Sequence, residues 1–193
     1  MEVVALGGEP ATGKTTLALE LIKQIPEDSF EEFKVGQLRG RKYEKSGILI
    51  FGIYEENEEQ NFQGTDRLSM SVMPDAKEAI SNLEEYFGKN DWTIFFEGDR
   101  LFTEKFIMHI KTVMGESAKK DLTLFFLEVD QDVLDYRHED RNDDQSEKFI
   151  NGRKTKYRKL RKNLSVKPHV EIFQNNDEED FRKGLERIKE EVF

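Results

Sequence analysis

Several features that would narrow the function of a protein are missing from this 193-residue chain. It has no cysteine, which excludes a disulfide scaffold, a thiolate zinc site and a cysteine nucleophile. It has no apolar run close to the ~20 residues of a membrane span, and its start, MEVVALGGEP, lacks the basic segment of a signal peptide. We therefore expect a soluble, cytoplasmic protein with no membrane partner. A chain of this length is expected to form a single domain over residues 1–193.

The charge is negative overall but unevenly placed. The net charge of −10 disfavours a general nucleic-acid coat protein. Residues 151–169 nevertheless hold eight Lys and Arg residues and no acid. We call this segment the basic strip. It could bind phosphates, or it could be the solvated face of a helix.

The pattern of apolar residues predicts an α/β fold with a mainly parallel, five-stranded sheet. Apolar strands at 3–6, 92–96, 122–129 and 169–173 alternate with helices of amphipathic spacing. Residues 33–54 are extended and glycine-containing and do not fit this alternation. We therefore assign residues 33–73 to an extended or hairpin insertion on the substrate side.

The clearest motif follows the first predicted strand. The segment from Gly8 to Thr15 matches the phosphate-binding loop G-x-x-x-x-G-K-[ST] in full, between a strand and a helix. Backbone N–H groups of such a loop surround a phosphate. Lys14 would reach the β- and γ-phosphates of ATP, and the Thr15 hydroxyl would bind Mg²⁺. The residues expected to bind the donor nucleotide are Gly8, Glu9, Pro10, Ala11, Thr12, Gly13, Lys14, Thr15 and Thr16.

Two acids follow the strand at 92–96. Glu97 and Asp99 are two residues apart, so they would lie on one side of a continuing strand. With Thr15 they are the candidate Mg²⁺ ligands, and we expect Asp99 to contribute more than Glu97. The alternative is a strand end with two solvated acids.

The P-loop, the chain length and the Asp99-Arg100 pair after a core strand resemble the small P-loop kinases of nucleosides and nucleotides, with a thymidylate-kinase-like core. The resemblance implies a three-layer P-loop kinase-type fold with ATP and Mg²⁺ as cofactors. It makes Asp99 a catalytic residue and Arg100 a ligand of the acceptor. It also implies a lid, here 131–165, in which Arg137 binds the donor and Arg141 acts in catalysis.

Thymidylate kinases carry an Arg-Glu-Pro-Gly segment that this chain lacks. The segment Gly64-Thr65-Asp66-Arg67, together with the extended residues 33–54, resembles a phage group of P-loop kinases instead. Those kinases phosphorylate 5-hydroxymethyluracil in DNA, which would place this protein in the host cytoplasm. In such folds the donor base lies near the lid and the loop after the last strand, here around 174–177.

The choice of acceptor depends on three residues. A hydroxyl acceptor needs a base, and Asp66 is the candidate, with its pKa held down by the adjacent Arg67. Arg67 would then bind an acceptor phosphate, and Tyr54 could stack on a base. Alternatively, Asp66 caps the turn before the helix that starts near Pro74, and Tyr54 belongs to the core.

Three functions therefore compete. The first is an ATP-dependent kinase of a hydroxyl group on a base in DNA. The second is a nucleoside monophosphate kinase, in which Arg67 and Arg100 bind the acceptor phosphate. The third is a nucleotide-binding regulator or an ATPase without an acceptor. The sequence leaves the oligomeric state open.

Overall fold

The computed structural model describes residues 1–26, 29–55, 63–140, 147–163 and 165–193. Within these residues, seven strands form one sheet in the order β2-β3-β4-β5-β1-β6-β7. The strands are β1 Glu2–Gly8, β2 Glu31–Val35, β3 Leu38–Tyr43, β4 Ile48–Phe51, β5 Thr93–Glu97, β6 Leu122–Glu128 and β7 Val170–Gln174. The α-helices are α1 Lys14–Lys23, α2 Met73–Ser81, α3 Leu83–Phe87, α4 Glu104–Met114, α5 Ala118–Asp121, α6 Gln131–Asp140, α7 Glu147–Lys162 and α8 Glu178–Val192.

The sheet has a parallel part and an antiparallel edge. Strands β4, β5, β1, β6 and β7 run parallel, whereas β2 and β3 form an antiparallel hairpin beside β4. The predicted α/β fold with a mainly parallel sheet is confirmed, and the number of strands is corrected from five to seven. Residues 48–51, assigned to an insertion from the sequence, are a parallel neighbour of β5. That pairing is a long-range contact, which local alternation does not reveal.

Helices cover both faces of the sheet, so the fold has three layers. Alternate strand residues point to opposite faces. On one face, Val4, Leu6 and Phe95 pack against buried residues of α1 and α8 such as Leu21 and Ile188. On the other face, the core combines strand residues with residues of α2, α4 and α7, among them Val3, Ala5, Ile94, Phe96, Ala76, Phe106 and Tyr157.

The chain between 73 and 87 forms two helices, α2 and α3, and not one continuous helix. The break occurs because Asn82 leaves the helical region with φ −130° and ψ 45°. Across the described residues, no helix is both long and apolar enough to cross a membrane.

The topology brings several segments to one edge of the sheet. The carboxyl ends of parallel strands lie at the same edge, and in open α/β sheets ligands bind in the crevice outside that edge. Here the segments are the P-loop after β1, residues 52–55 after β4, 98–100 after β5, 129–130 after β6 and 175–177 after β7.

Candidate active site

The P-loop leaves the end of β1 and leads into α1. Three of its residues have positive φ, namely Gly8 (152°), Ala11 (63°) and Gly13 (91°). The Lys14 ammonium group donates a hydrogen bond of 2.6 Å to the carbonyl oxygen of Glu9. Lys14 therefore curls back over its own loop, which is where a bound phosphate would meet both it and the backbone N–H groups. The other predicted donor residues in this stretch, Pro10, Thr12 and Thr16, lie in the loop or the first turn of α1, and Thr16 is exposed.

Two residues distant in sequence, Asn175 and Arg137, donate hydrogen bonds to backbone carbonyl oxygens of the P-loop. Buried Asn175, which follows β7, donates from Nδ2 to the carbonyl oxygen of Thr12 at 2.7 Å. Arg137 on α6 donates to the carbonyl oxygens of Asn175 at 2.8 Å and Ala11 at 3.5 Å. An added Cβ at Gly13 would lie 2.5 Å from Asn175 Nδ2, so this close approach requires glycine. Arg137 thus lies beside the predicted donor loop, whereas nothing local in the sequence singled out Asn175 as its anchor.

Arg141, the second arginine of the predicted lid, lies outside the described residues.

A cavity of about 340 Å³ opens beside the P-loop, between the end of β6 and α7. Its size is at the lower end of the range for small-molecule sites, about 300–1,000 Å³. Its polar lining includes P-loop residues, an acid and three cations: Gly8, Glu9, Glu128, Lys154, Arg158 and Arg161.

Glu97, the last residue of β5, lies next to the P-loop. Its side chain is 1% exposed, and burial raises the pKa of Glu97 to about 8, against the opposing effects of Lys14 and a hydrogen bond with Thr15. Glu97 Oε1 is buried and has no hydrogen-bond partner among the described residues. A buried carboxylate oxygen that lacks a partner, beside a threonine hydroxyl, fits Mg²⁺, which prefers oxygen ligands and few protein groups. No cluster of three His, Asp or Glu side chains that could hold a metal occurs in the described part of the chain.

Asp99 is placed differently from the prediction. Gly98, at φ 104°, turns the chain after β5, so Asp99 does not continue the strand beside Glu97. Its carboxylate contacts α7 instead: Arg153 at 2.7 Å, Lys156 at 2.8 Å and the Tyr157 hydroxyl at 2.7 Å. Burial opposes ionisation, but these three groups outweigh it and lower the pKa of Asp99. Glu97, and not Asp99, therefore contacts the P-loop threonine. The relative contribution of the two acids to a Mg²⁺ site stays a prediction.

Half of the eight cations in the basic strip are paired with acids. Besides Arg153 and Lys156, which bind Asp99, Lys154 lies 3.7 Å from Glu9 and Arg161 pairs with Glu128. These cations attach α7 to the strand ends around the P-loop. Among the described residues, four of the eight cations of the basic strip are therefore engaged by acids, which leaves fewer of them to bind phosphates.

Asp66 lies in a short 3₁₀ turn at Thr65–Arg67, packed on the end of β5. Its Oδ1 accepts a hydrogen bond of 3.2 Å from the Arg100 backbone N–H, so it caps the turn after β5 and not the turn before α2. Burial, then the charge of Asp99, raises the pKa of Asp66, and Lys14 opposes the shift. The predicted lowering by Arg67 is wrong, because Arg67 pairs with Glu55 at 3.0 Å.

Tyr54 and Arg100, two predicted substrate ligands, have different surroundings. Tyr54 is 3% exposed and belongs to the core, so its ring has no open face for a base and the stacking prediction is wrong. Arg100 is half-buried, and its Nε has no hydrogen-bond partner among the described residues. The described residues therefore leave the buried Nε–H of Arg100 without an acceptor.

Gly64 and Thr65 are site residues that sequence reasoning missed. The Thr65 hydroxyl donates to the carbonyl oxygen of Glu97 at 2.7 Å. An added Cβ at Gly64 (φ 67°) would lie 2.1 Å from Glu97 Oε1. The glycine lets the backbone pass directly over the carboxylate. The Gly-Thr pair before Asp66 was the available signal, but its contact with β5 is not visible in the sequence.

No protein-family model and no curated protein matches the chain. Among solved structures, a shikimate kinase from Bacteroides thetaiotaomicron is 15% identical with a TM-score of 0.44, over 98% of this chain and 96% of that chain. A gluconokinase from Sinorhizobium meliloti is 10% identical with a TM-score of 0.45, over 98% and 94%. An uncharacterized protein from Eubacterium ventriosum is 12% identical with a TM-score of 0.41, over 99% and 97%. At these scores and identities, the similarities assign no activity to this chain.

Proposed function

We propose that the protein is an ATP- and Mg²⁺-dependent phosphotransferase that phosphorylates a hydroxyl group. One observation carries the proposal: Lys14 of a complete P-loop interacts electrostatically with two carboxyl groups, Glu97 and Asp66. Glu97 would bind the metal ion, and Asp66 would accept the proton of the acceptor hydroxyl. A regulator that only binds a nucleotide has no need for the second.

The donor half follows from the P-loop. The loop and Lys14 would bind the β- and γ-phosphates, and Arg137 and the cation-lined cavity lie beside them. Thr15 and Glu97 would hold Mg²⁺, which would neutralise the negative charge that develops during transfer. A bound cation also offsets the cost of ionising the buried Glu97.

The acceptor half follows from Asp66. A carboxylate whose pKa is raised toward neutrality is a better proton acceptor than one held low by an arginine. Asp66 would take the proton of the acceptor hydroxyl while its oxygen attacks the γ-phosphorus; the bond from that phosphorus to the β-bridging oxygen breaks, and ADP leaves. The acceptor that we propose is 5-hydroxymethyluracil in DNA. The support for it is the sequence resemblance around Gly64–Arg67 and not the basic strip.

A second candidate function is a nucleoside monophosphate kinase. It is favoured by Arg100, whose Nε lacks a partner among the described residues and could bind an acceptor phosphate. Such an acceptor is already anionic and needs no base. The two functions therefore make opposite predictions for Asp66.

The test offers γ-labelled ATP with hydroxymethylated DNA, plain DNA and a panel of free nucleotides. Lys14→Ala should abolish most transfer to whichever acceptor is labelled, since the transition state loses a compensating charge. For a hydroxyl acceptor, Asp66→Asn should lower kcat about 10²-fold or more with little change in the KM for ATP. The matched control is Asp91→Asn at an exposed acid outside the site, which should leave kcat unchanged.

Label on a free nucleotide, a mild effect of Asp66→Asn and a steep rise of the acceptor KM in Arg100→Ala would replace the proposal with the second candidate. ATP loss that no acceptor stimulates would refute both.

A further inference from the structure

The hairpin β2–β3 carries two cations that the site described above does not use. Lys34 and Arg39 lie directly opposite each other in the antiparallel register. Both are exposed, and neither forms an ion pair within the described part of the chain. Like charges directly opposite on a sheet are destabilising. In a protein of net charge −10, this unbalanced pair differs from Arg153 and Lys156 of α7, which are bound to Asp99.

The pair lines a cleft of about 310 Å³ between the hairpin and residues 52–55. Arg41 also lines the cleft and is held in place: its guanidinium donates to the Tyr54 carbonyl oxygen and lies 4.2 Å from the centroid of the Phe30 ring. Two acids share the lining, but Glu55 pairs with Arg67 and Glu32 lies opposite Arg41. The positive charge that remains belongs to Lys34 and Arg39.

The sheet register places this cleft on the same edge as the P-loop. Gly52 donates its backbone N–H to the Arg39 carbonyl oxygen at 2.9 Å. Gly52 follows Phe51, which lies opposite Phe96 of β5, and the next residue of β5, Glu97, lies opposite Leu6 of β1. With about 4.8 Å between strands, Arg39 on β3 lies about 14 Å from β1, and Lys34 about 19 Å. The backbone of Gly64 packs on Gly52, so the segment that carries Asp66 lies between the cleft and the P-loop.

This separation decides which ligand fits. In a mononucleotide acceptor, the phosphate itself attacks the γ-phosphate at the P-loop. That phosphate cannot at the same time reach Arg39, which lies about 14 Å from β1. A nucleic-acid strand places a phosphate every ~3.4 Å along its axis, so about four nucleotides span that distance. We infer that Lys34 and Arg39 bind the phosphodiester backbone of a DNA acceptor whose reacting base lies at Asp66. The identity of DNA rests on the proposed function.

The experiment measures binding of single-stranded DNA oligonucleotides of two to twelve nucleotides to the full chain by fluorescence anisotropy, without ATP. The variant is Lys34→Gln/Arg39→Gln. The matched control is Lys105→Gln/Lys120→Gln, which removes the same charge at exposed cations on α4 and α5. Each lost phosphate contact should reduce the log–log salt slope by about 0.7. The variant slope should therefore be smaller by about 1.4, so raising salt fourfold should cost it about sevenfold less affinity than the wild type.

Wild-type affinity should also rise as the oligonucleotide passes about four nucleotides, and the variant should lose this rise. The control should behave as the wild type does. The variant should melt no lower than the wild type, because the substitution removes a like-charge pair.

Equal slopes in the variant and its control would overturn the inference, as would wild-type binding that is independent of length. Preference for RNA over DNA of the same sequence would overturn the assignment to DNA. The proposed function fails separately: hairpin-dependent DNA binding without any phosphate transfer would refute the kinase and leave the inference standing. Lys14→Ala, which removes transfer, should keep the hairpin-dependent binding.

Discussion

Replacing Glu97 with glutamine should stabilise the protein and inactivate it at the same time. Glu97 is 1% exposed, and its pKa is raised from 4.5 to about 8, with burial as the largest cause. Between these two values the unfolded chain is ionised at this residue while the folded protein keeps the proton. Stability should therefore fall as pH rises from about 5 to about 8 and become constant above that.

The size of this loss of stability follows from the free energy of about 1.4 kcal/mol for each unit by which the pKa differs between the folded and the unfolded protein. From pH 5 to pH 8 the wild type should lose up to about 4 kcal/mol through this group. Glutamine has nearly the same shape and never ionises, so Glu97→Gln should lose none of it. For a chain of this size, the difference corresponds to roughly 8–16 °C in melting temperature at pH 8.

The assay compares thermal unfolding of the wild type and Glu97→Gln at pH 5, 6, 7 and 8. The two melting temperatures should be close at pH 5 and should separate steadily above it, with the variant higher. The other titrating groups are common to both proteins and largely cancel in the difference. Mg²⁺ with a nucleotide should stabilise the wild type more than the variant, since only the wild type can offer a carboxylate. Parallel pH curves would refute the reasoning, and so would a variant that melts lower at pH 8.

Three further predictions concern neighbouring residues. Asp99→Asn should lower the free energy of unfolding, measured in denaturant, by about 2 kcal/mol or more, because Arg153 and Lys156 lose a shared partner. Since the pKa of Asp99 is lowered in the folded protein, this difference should be constant above about pH 4 and shrink on acidification. A difference that does not change with pH would contradict the prediction. Gly64→Ala should reduce phosphate transfer sharply, because the added Cβ would collide with the Glu97 carboxylate. The control is Gly88→Ala, where φ is 84° and an added Cβ would have no atom within 4 Å, so it should lower stability without changing activity. Equal activities of the two variants would contradict this. In the wild type, kcat should fall on acidification with an apparent pKa above 3.8, and that acid limb should disappear in Asp66→Asn; a limb that persists would assign it to another group.

Much of the donor side could be predicted from the sequence. The P-loop is a local motif in which the glycines, Lys14 and Thr15 occupy fixed positions between a strand and a helix. The alternation of apolar segments was also enough for the α/β fold and its parallel strands. The prediction was incomplete at β4, because an isolated apolar segment of four residues does not indicate which strand it will join.

The different contacts of Glu97, which meets Thr15 of the P-loop, and of Asp99, which meets α7, could not be predicted from the sequence. Both acids follow the same strand, and the difference between them comes from the positive φ of Gly98 and from α7, which reaches Asp99 from more than fifty residues away. The same applies to Asp66, whose pKa depends on burial and on Asp99, not on the adjacent Arg67. Proximity in sequence suggested the wrong charge partner for Asp66.

By itself, the sequence determined the phosphate-binding loop, the class of the fold and the set of acids and arginines available to the site. These depend on local spacing, which a strand of period two or a helix of period 3.6 converts directly into a face or a turn. Only the tertiary structure decided which acid meets Thr15, which cations are neutralised by acids, and which pair on the hairpin is not. Those outcomes depend on burial and on distances between segments far apart in the chain, since the electrostatic effect of a charge is set by its surroundings in space.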